Sequence, residues 1–400
     1  MHKFIKELGY GVGLGIITAL IIVLFTSLVH WGTWLLWEFL PAELGQPVFW
    51  PLLIGLVGGL VVGLLQKYVG PYPYHMQETL KRTKQPQFYR GKTWRNFVNA
   101  IVILIFGAGV GPEAALVAIV ACFVVWINDR LQYADSNPEF LTTNGLGAVM
   151  ALVFTNPFFG LSEQIDHEPA KTKSAAHYAV NIATIASAWL VFSTLQKLVS
   201  TPFFHLRFQH FNWSWSWLWA GLLAFVLAEA YSWLYFQAIK PLEALGKLPQ
   251  PIWLALLGGL VLGLTGMWSS YLLFSGEESI VTLLQNYSKM SVGFLIILGI
   301  GKMLLAIFYN ATGWRGGDIF PNIFGSICLG LAVGVALGLP VIAVATVSCA
   351  VILTNIMQKP LLVCGLLILV LPLSLFPIVV VSSLASAGVH KLLPRSESAA

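Results

Sequence analysis

The chain has 400 residues, of which 10% are charged and 57% are apolar, and its net charge is +5. A typical soluble domain is about 25% charged, so this composition excludes a water-soluble globule and indicates a protein built into a lipid bilayer. The low net charge gives no indication of a nucleic-acid partner. The four cysteines all lie in apolar segments, which predicts buried thiols rather than disulfides or metal ligands.

Apolar segments recur along the whole chain and predict an all-α polytopic membrane protein. They cover residues of about 9–30, 51–66, 98–127, 141–161, 178–200, 214–238, 252–274, 292–309, 320–351 and 360–390. The first segment is longer than the core of a signal peptide and no small-residue cleavage site follows it, so we expect a retained span. Several segments are too short, or too broken by Gly and Pro, to be plain spanning helices of about 20 residues.

An octapeptide repeats at an offset of 200 residues and predicts two related halves, 1–205 and 206–400. Residues 58–65 read Gly-Gly-Leu-Val-Val-Gly-Leu-Leu, and residues 258–265 read Gly-Gly-Leu-Val-Leu-Gly-Leu-Thr. The connector after the first copy, residues 66–97, carries seven Lys and Arg and one Glu, whereas residues 265–291 carry one Lys and two Glu. The excess of positive charge favours the cytoplasmic side for the first connector and the outer side for the second.

Equivalent connectors on opposite sides of the membrane predict an inverted-topology repeat, which is typical of transporters and channels with a site at the midplane. Both chain termini are then cytoplasmic, in the plasma (inner) membrane. The alternative is that the octapeptide match is a coincidence in a chain rich in Leu, Val and Gly, and that the basic connector is a solvated surface.

Each half contains one break between apolar segments, and each break runs into a new helix. The first break is Gly107-Ala-Gly-Val-Gly-Pro-Glu113, and the second is Ala311-Thr-Gly-Trp-Arg-Gly-Gly-Asp-Ile-Phe-Pro321. Pro at the first helical position needs no donor hydrogen, so we predict helices that start at Pro112 and at Pro321. The breaks place two helix N-termini at membrane depth.

A helix N-terminus has unpaired N–H groups and about half a positive charge, so it binds anions without a basic side chain. Glu113 lies in the first turn of its helix, within an apolar run, where an ionisable residue is functional by default. Its carboxylate would compete with an anion for the same positive pole, so its protonation or displacement would open the path. The alternative is that Glu113 only stabilises the helix N-terminus.

At these breaks the sequence resembles the CLC family of anion channels and anion/proton antiporters. Residues 109–115 are similar to the family's G-(K/R)-E-G-P element, with Glu113 at the gating glutamate, and residues 302–330 are similar to the stretch that carries G-x-F-x-P. The resemblance covers essentially the whole chain and is nearest to a divergent bacterial branch of ion-transport proteins. It implies a CLC-like fold of about 16–18 helices, some broken or re-entrant, a homodimer with one pore per subunit, no cofactor, and no cytosolic regulatory domain.

The departures from the family pattern alter the predicted anion site. Pro112 replaces the basic residue and removes one donor, and Phe320 stands one place later than the family's aromatic residue. The resemblance leaves backbone N–H groups as anion ligands, at Gly111, Glu113, Ala114, Asp318, Ile319 and Phe320. The family's central serine and tyrosine have no counterpart, so only Tyr72 and Ser374 are candidates to replace them, and Tyr72 is alternatively an ordinary interfacial tyrosine.

His167 falls at the position of the family's inner proton-transfer glutamate, and a histidine titrates near neutral pH. It is a candidate proton relay, or else part of a polar cytoplasmic loop, so channel and antiporter both stay open. The prediction is transport of chloride-like inorganic anions, with protons as a second candidate ion and Glu113 as the gate. The rival is a cation-coupled secondary transporter, which would favour carboxylates and helix C-termini at its site. No nucleophile or metal motif indicates an enzyme.

Overall fold

The structure is a computed structural model that describes residues 2–74, 93–131, 138–154, 156–158, 160–161, 175–199, 217–371 and 373–392. These residues form α-helices joined by short turns, and no β-strand occurs among them, which confirms the all-α prediction. The α-helices are α1 (His2–Trp34), α2 (Leu40–Glu43), α3 (Trp50–Tyr68), α4 (Thr93–Ile105), α5 (Glu113–Leu131), α6 (Pro138–Val153), α7 (Ala175–Val199), α8 (Trp217–Gly246), α9 (Pro251–Trp268), α10 (Glu277–Asn286), α11 (Val292–Ala311), α12 (Ile319–Leu337), α13 (Val341–Met357), α14 (Pro360–Val370) and α15 (Phe376–Leu392).

Eight segments in the described part of the chain are long and apolar enough to cross a bilayer. They correspond to α1 with its continuation to Glu43, α3, α7, α8, α9, α11, α12 and α15. Helices α4, α5, α6 and α13 contain shorter apolar stretches, as expected where the chain breaks inside the membrane. The chain is therefore a multi-pass membrane protein, and α12 is the most enclosed of the eight spans.

Helices α3 and α9, which carry the two copies of the repeated octapeptide, pack directly on each other in antiparallel directions. A Cβ atom at Gly55 would lie 2.2 Å from the carbonyl oxygen of Gly259, and one at Gly59 would lie 2.8 Å from that of Ala255. Only glycine permits this approach of two backbones, a known way for membrane helices to associate without a hydrophobic driving force.

The indole of Trp314 lies between the two octapeptide copies, at equivalent glycines. A Cβ at Gly58 would lie 2.8 Å from its Cη2 atom, and a Cβ at Gly258 would lie 2.6 Å from its Nε1 atom. The indole is fully buried, and Nε1 donates a hydrogen bond of 2.9 Å to the carbonyl oxygen of Ala255. Trp314 thereby ties the second break to the helix pair α3/α9.

The helices that follow the breaks begin close to the predicted prolines, with one shift. Helix α5 begins at Glu113, directly after Pro112, whereas α12 begins at Ile319 and not at Pro321. The N–H of Asn322 donates to the carbonyl oxygen of Asp318 across 3.1 Å, which closes the first turn of α12 around the proline. Proline is tolerated anywhere in this turn because those N–H positions have no intrahelical acceptor.

Candidate functional site

The two breaks meet at the centre of the molecule through a short antiparallel backbone bridge. The N–H of Gly111 donates to the carbonyl oxygen of Gly317 across 2.7 Å, and the N–H of Gly317 donates to that of Gly111 across 2.8 Å. The bridge holds the N-termini of α5 and α12 side by side. The same bridge occupies the N–H of Gly111, which the sequence predicts to be an anion ligand.

The carboxyl group of Glu113 lies at the N-terminus of α12 and is only 1% exposed. Its Oε1 accepts a hydrogen bond of 2.9 Å from the N–H of Ile319, and the N–H groups of Phe320 and of Glu113 itself also interact with the carboxyl. Oε2 is buried without a hydrogen-bond partner in the described part of the chain. The side chain thus occupies the positive pole at which the sequence predicted an anion.

Two glycines enclose this carboxyl group from either side. A Cβ atom at Gly111 would lie 1.9 Å from Oε2, and one at Gly317 would lie 2.0 Å from Cδ of Glu113. Any larger residue at either position would overlap the carboxyl group. The two bridge residues therefore leave just enough room for the side chain of Glu113.

The remaining residues predicted to bind the anion lie around the same point. Ala114 is buried in the first turn of α5, where backbone N–H groups have no intrahelical acceptor. Phe320 is also buried, and its ring stacks on Phe154 with 4.9 Å between centroids and 26° between planes. The stack fixes the first turn of α12 against the end of α6.

The acid next to this site, Asp318, has its carboxylate bound to a different partner. Its Oδ2 accepts a hydrogen bond of 3.3 Å from the hydroxyl of Tyr235 on α8. Nδ2 of Asn322 lies 3.4 Å from the same hydroxyl. Tyr235 and Asn322 are buried, so Asp318 belongs to a small polar cluster beside the N-terminus of α12.

A buried lysine holds the connector that lies against the first break. Lys302 on α11 is completely buried, and its Nζ donates to the carbonyl oxygens of Tyr271, Leu273 and Phe274 at 3.0, 2.7 and 2.6 Å. The N–H of Phe274 in turn donates to the carbonyl oxygen of Gly107 across 2.9 Å. Lys302 thus satisfies three carbonyl groups of a chain segment that caps the site.

A second carboxyl group, that of Glu277 at the start of α10, lies at the end of this connector. Its Oε1 accepts a hydrogen bond of 3.2 Å from Ser275. Burial, with a smaller contribution from the charge of Glu113, raises the pKa of Glu277 to about 8. Glu277 is therefore mainly protonated at neutral pH, which limits the negative charge facing the site.

Among the described residues, neither Tyr72 nor Ser374 forms a hydrogen bond or a ring contact with Glu113. Tyr72 is buried, its carbonyl oxygen accepts a hydrogen bond of 3.1 Å from Gln66, and its ring packs edge-on against Tyr74. Ser374 is exposed on the single turn Leu373–Leu375. His167 lies outside the described residues.

Three further polar residues were not among the functional candidates predicted from the sequence, namely Lys302, Tyr235 and Glu229. Lys302 and Glu229 are ionisable residues within spanning helices, so the rule that singled out Glu113 would have found both. No sequence signal pairs Tyr235 with Asp318, because the two residues are 83 positions apart and meet only through the packing of α8 on α12.

The family model described as voltage gated chloride channel matches residues 58–391 of this chain. The chain belongs to the voltage gated chloride channel family. The match includes both breaks, the bridge between them and Glu113. Membership in this family of ion-conducting membrane proteins accords with the absence of any enzyme motif in the sequence.

Relatives and solved structures of this family resemble the chain over most of its length. The ion-transport protein YfeO of Escherichia coli O1:K1 is 26% identical over 353 residues, covering 85% of this chain and 82% of the relative. YfeO of Shigella boydii serotype 4 is 25% identical over 360 residues, with the same coverage. A CLC-type fluoride/proton antiporter has a TM-score of 0.77 at 15% identity, covering 97% of this chain and 96% of its own. A slow cyanobacterial Cl−/H+ antiporter has a TM-score of 0.77 at 17% identity, covering 98% of this chain and 95% of its own.

Proposed function

We propose that this protein exchanges chloride-like inorganic anions for protons, with Glu113 as the gate. The position of the Glu113 carboxyl group at the N-terminus of α12 carries the proposal. A carboxylate accepting the N–H of Ile319 is a chemical substitute for a small anion at the same donors. Side chain and anion therefore compete, and the carboxyl leaves its place most easily once it has taken up a proton.

The closely enclosed geometry supports a gate over a purely stabilising role. A carboxylate that only neutralised the N-terminus of its own helix α5 could face solvent or lipid headgroups, whereas this one reaches across to α12 and is 1% exposed. Burial makes the charged form of this carboxyl group costly, so proton uptake and release become part of any movement of this side chain.

The anion ligands in this proposal are backbone groups, namely the N–H groups of Glu113, Ala114, Asp318, Ile319 and Phe320. Such donors hold an anion without the strong attraction of a full positive charge, so the ion can also leave. The N–H of Gly111 can bind the anion only if its hydrogen bond to the carbonyl oxygen of Gly317 breaks. Tyr72, Ser374 and His167 stay candidate side chains, the first two for the anion and His167 for the proton.

The assembly and orientation of the protein are proposed on the same basis. The antiparallel packing of α3 on α9 supports two inverted halves, 1–205 and 206–400. The distribution of Lys and Arg supports cytoplasmic termini in the inner membrane. Family resemblance supports a homodimer with one pore in each subunit, which needs no cofactor besides the transported ions.

Reconstituted vesicles with a chloride gradient and an internal pH probe test the proposal. We expect the anion gradient to drive protons uphill in the wild type, and Glu113→Gln to abolish proton movement while anion flux persists. Glu278→Gln, which removes an exposed carboxyl group of α10, is the matched control and should behave as the wild type. Anion flux without proton movement in the wild type would establish a channel instead, and transport driven only by a cation gradient would establish the cation-coupled rival.

A further inference from the structure

Helix α8 carries a carboxyl group deep within a membrane span. Glu229 lies twelve residues after the start of the helix, and Ser232 and Tyr235 follow at intervals of three residues. An ionisable side chain at this depth is costly unless it has polar partners, and where it occurs it commonly serves an ion or proton path. Glu229 takes no part in the anion site described above.

The partners of Glu229 come from two other helices. The hydroxyl of Ser386 on α15 lies 2.6 Å from Oε1 of Glu229 and 3.2 Å from Oδ1 of Asn355 on α13. Nδ2 of Asn355 donates across 3.1 Å to the hydroxyl of Ser232, back on α8. Ser232, Asn355 and Ser386 are buried and Glu229 is half-buried, and the four side chains form a polar cluster between α8, α13 and α15.

One helical turn along α8, a second polar cluster reaches the anion site. Tyr235 donates to Asp318, the residue that precedes Ile319, and the N–H of Ile319 binds the carboxyl group of Glu113. Tyr231 lies on α8 between Glu229 and Ser232 in sequence, and its ring is 6.5 Å from that of Tyr235. The buried hydroxyl of Tyr231 has no hydrogen-bond partner in the described part of the chain. It is therefore a polar group on the stretch of α8 that separates the two clusters.

In the other direction the first cluster continues to the end of α15. Nε2 of Gln358 donates to the backbone carbonyl oxygen of Asn355 and lies 2.9 Å from Nε2 of His390. His390 is half-buried in the last turn of α15, beside the exposed Lys391. Two hydrogen-bonded clusters, on neighbouring turns of α8, therefore lie between His390 at the end of α15 and Asp318 beside the anion site.

We propose that this series of side chains, from His390 through Glu229 and Tyr235 to Asp318, is a proton route between Glu113 and the membrane face at which α15 ends. In each passage, one proton leaves the carboxyl group of Glu229 and one arrives on the carboxylate of Glu113, or the reverse. Glu229 is the group that stores the proton, the hydroxyls of Ser386, Ser232 and Tyr235 relay it, and Asn355 positions the two serine hydroxyls. The inference rests on the proposed exchange of anions for protons.

Two conservative variants test the route in vesicles that report anion flux and proton flux separately. Glu229→Gln removes the proton store and keeps the shape of the side chain, and Tyr235→Phe removes one hydroxyl group. Because the loss of a positioned proton-transfer group slows transfer by about 10²–10⁴-fold, we expect proton flux to fall by at least about tenfold in each variant. Anion flux should stay within about twofold of the wild type, because both residues lie outside the proposed anion ligands. Glu243→Gln, at an exposed acid of the same helix, is the control and should leave both fluxes unchanged.

An unchanged ratio of protons to anions in both variants would overturn the route while leaving the exchange itself intact. A wild type that moves anions without protons would also overturn it, and anion transport gated by Glu113 would then stand alone. If the polar side chains served only to join the three helices, both variants would lose thermal stability in detergent and the two fluxes would fall together. If Glu229→Gln does not fold into the membrane, Tyr235→Phe still tests the proton route.

Discussion

The two breaks occupy matching places in the two proposed halves, yet their acids behave differently. Glu113 of the first break crosses to the second helix, where the N–H of Ile319 binds it in a fully enclosed position. Asp318 of the second break turns to Tyr235 and stays half-buried. One break supplies the movable carboxyl group and the other supplies the donors that receive it. In the proposed mechanism, Glu113 is the single gate because the acid of the second break lies away from the positive pole that the two helix N-termini share.

The largest effect on gating is expected from Gly317→Ala, which places a methyl group where the Glu113 carboxyl lies. A Cβ atom at Gly317 would be 2.0 Å from Cδ of that side chain, so the carboxyl must leave its place or the bridge must open. Overpacking of this kind costs about 1–3 kcal/mol of folding free energy. We expect a lower unfolding temperature in detergent and anion flux that no longer depends on pH in vesicles.

Gly293→Ala is the matched control for that substitution. Gly293 lies on α11 with no atom within 4 Å of an added Cβ atom, so this change should leave stability and flux nearly unaltered. Equal behaviour of the two alanine variants would contradict the enclosed position of the Glu113 carboxyl group.

Lys302→Met tests the connector that only the first break contacts. The substitution keeps the length of the side chain but leaves the carbonyl oxygens of Tyr271, Leu273 and Phe274 without their shared donor. A buried carbonyl oxygen that is left without a donor costs about 1–3 kcal/mol. We expect a large drop in the unfolding temperature, smaller for Lys302→Arg, which retains donor groups. Unchanged melting of the methionine variant would show that the connector is held by other contacts.

The substitution Asp318→Asn tests whether the acid of the second break also gates the anion path. The amide oxygen can still accept the hydrogen bond from Tyr235, while the negative charge beside the anion path is removed. We expect anion flux to rise modestly, by about 2–10-fold, since a like charge at about 4 Å that is screened by water contributes about 1 kcal/mol. Gating by pH should persist, in contrast to Glu113→Gln, and proton flux should fall because Asp318 lies on the proposed route. Loss of pH gating in Asp318→Asn would remove the distinction between the two breaks.

The smallest effect is expected from a change of pH that titrates the carboxyl group of Glu277. Because its pKa is raised to about 8, the folded protein holds this proton more tightly than the unfolded chain does. Folding stability from this group therefore decreases as pH rises from about 4.5 to 8, and above that range a negative charge faces the site. We expect anion flux to decline between pH 7 and 9 by about twofold, and Glu277→Gln to flatten the decline. A pH profile identical in both proteins would assign the decline to another group.

Composition and apolar periodicity predicted the membrane fold, and the breaks were visible because several Gly residues and a Pro cluster there between two apolar runs. The place of Glu113 also followed from sequence, since a carboxyl group in the first turn of a buried helix has few roles. The start of α12 was predicted two residues late because proline fits at several positions of a first turn. Two contacts could not be predicted, namely the hydrogen bonds between Gly111 and Gly317 and between Tyr235 and Asp318. Both depend on how helices that are distant in sequence pack together.

The indole of Trp314 has a consequence for how such a chain can be built. It fills the space between Gly58 and Gly258, two positions that the internal repeat makes equivalent, and the space accommodates one ring. Two identical half-length chains assembled about the same axis would each bring an indole to that single position, and the rings would collide. A continuous chain avoids this conflict, because its two proposed halves are free to differ at this position. Fusion of the halves thus permits a packed centre that a symmetric pair of separate chains could not form.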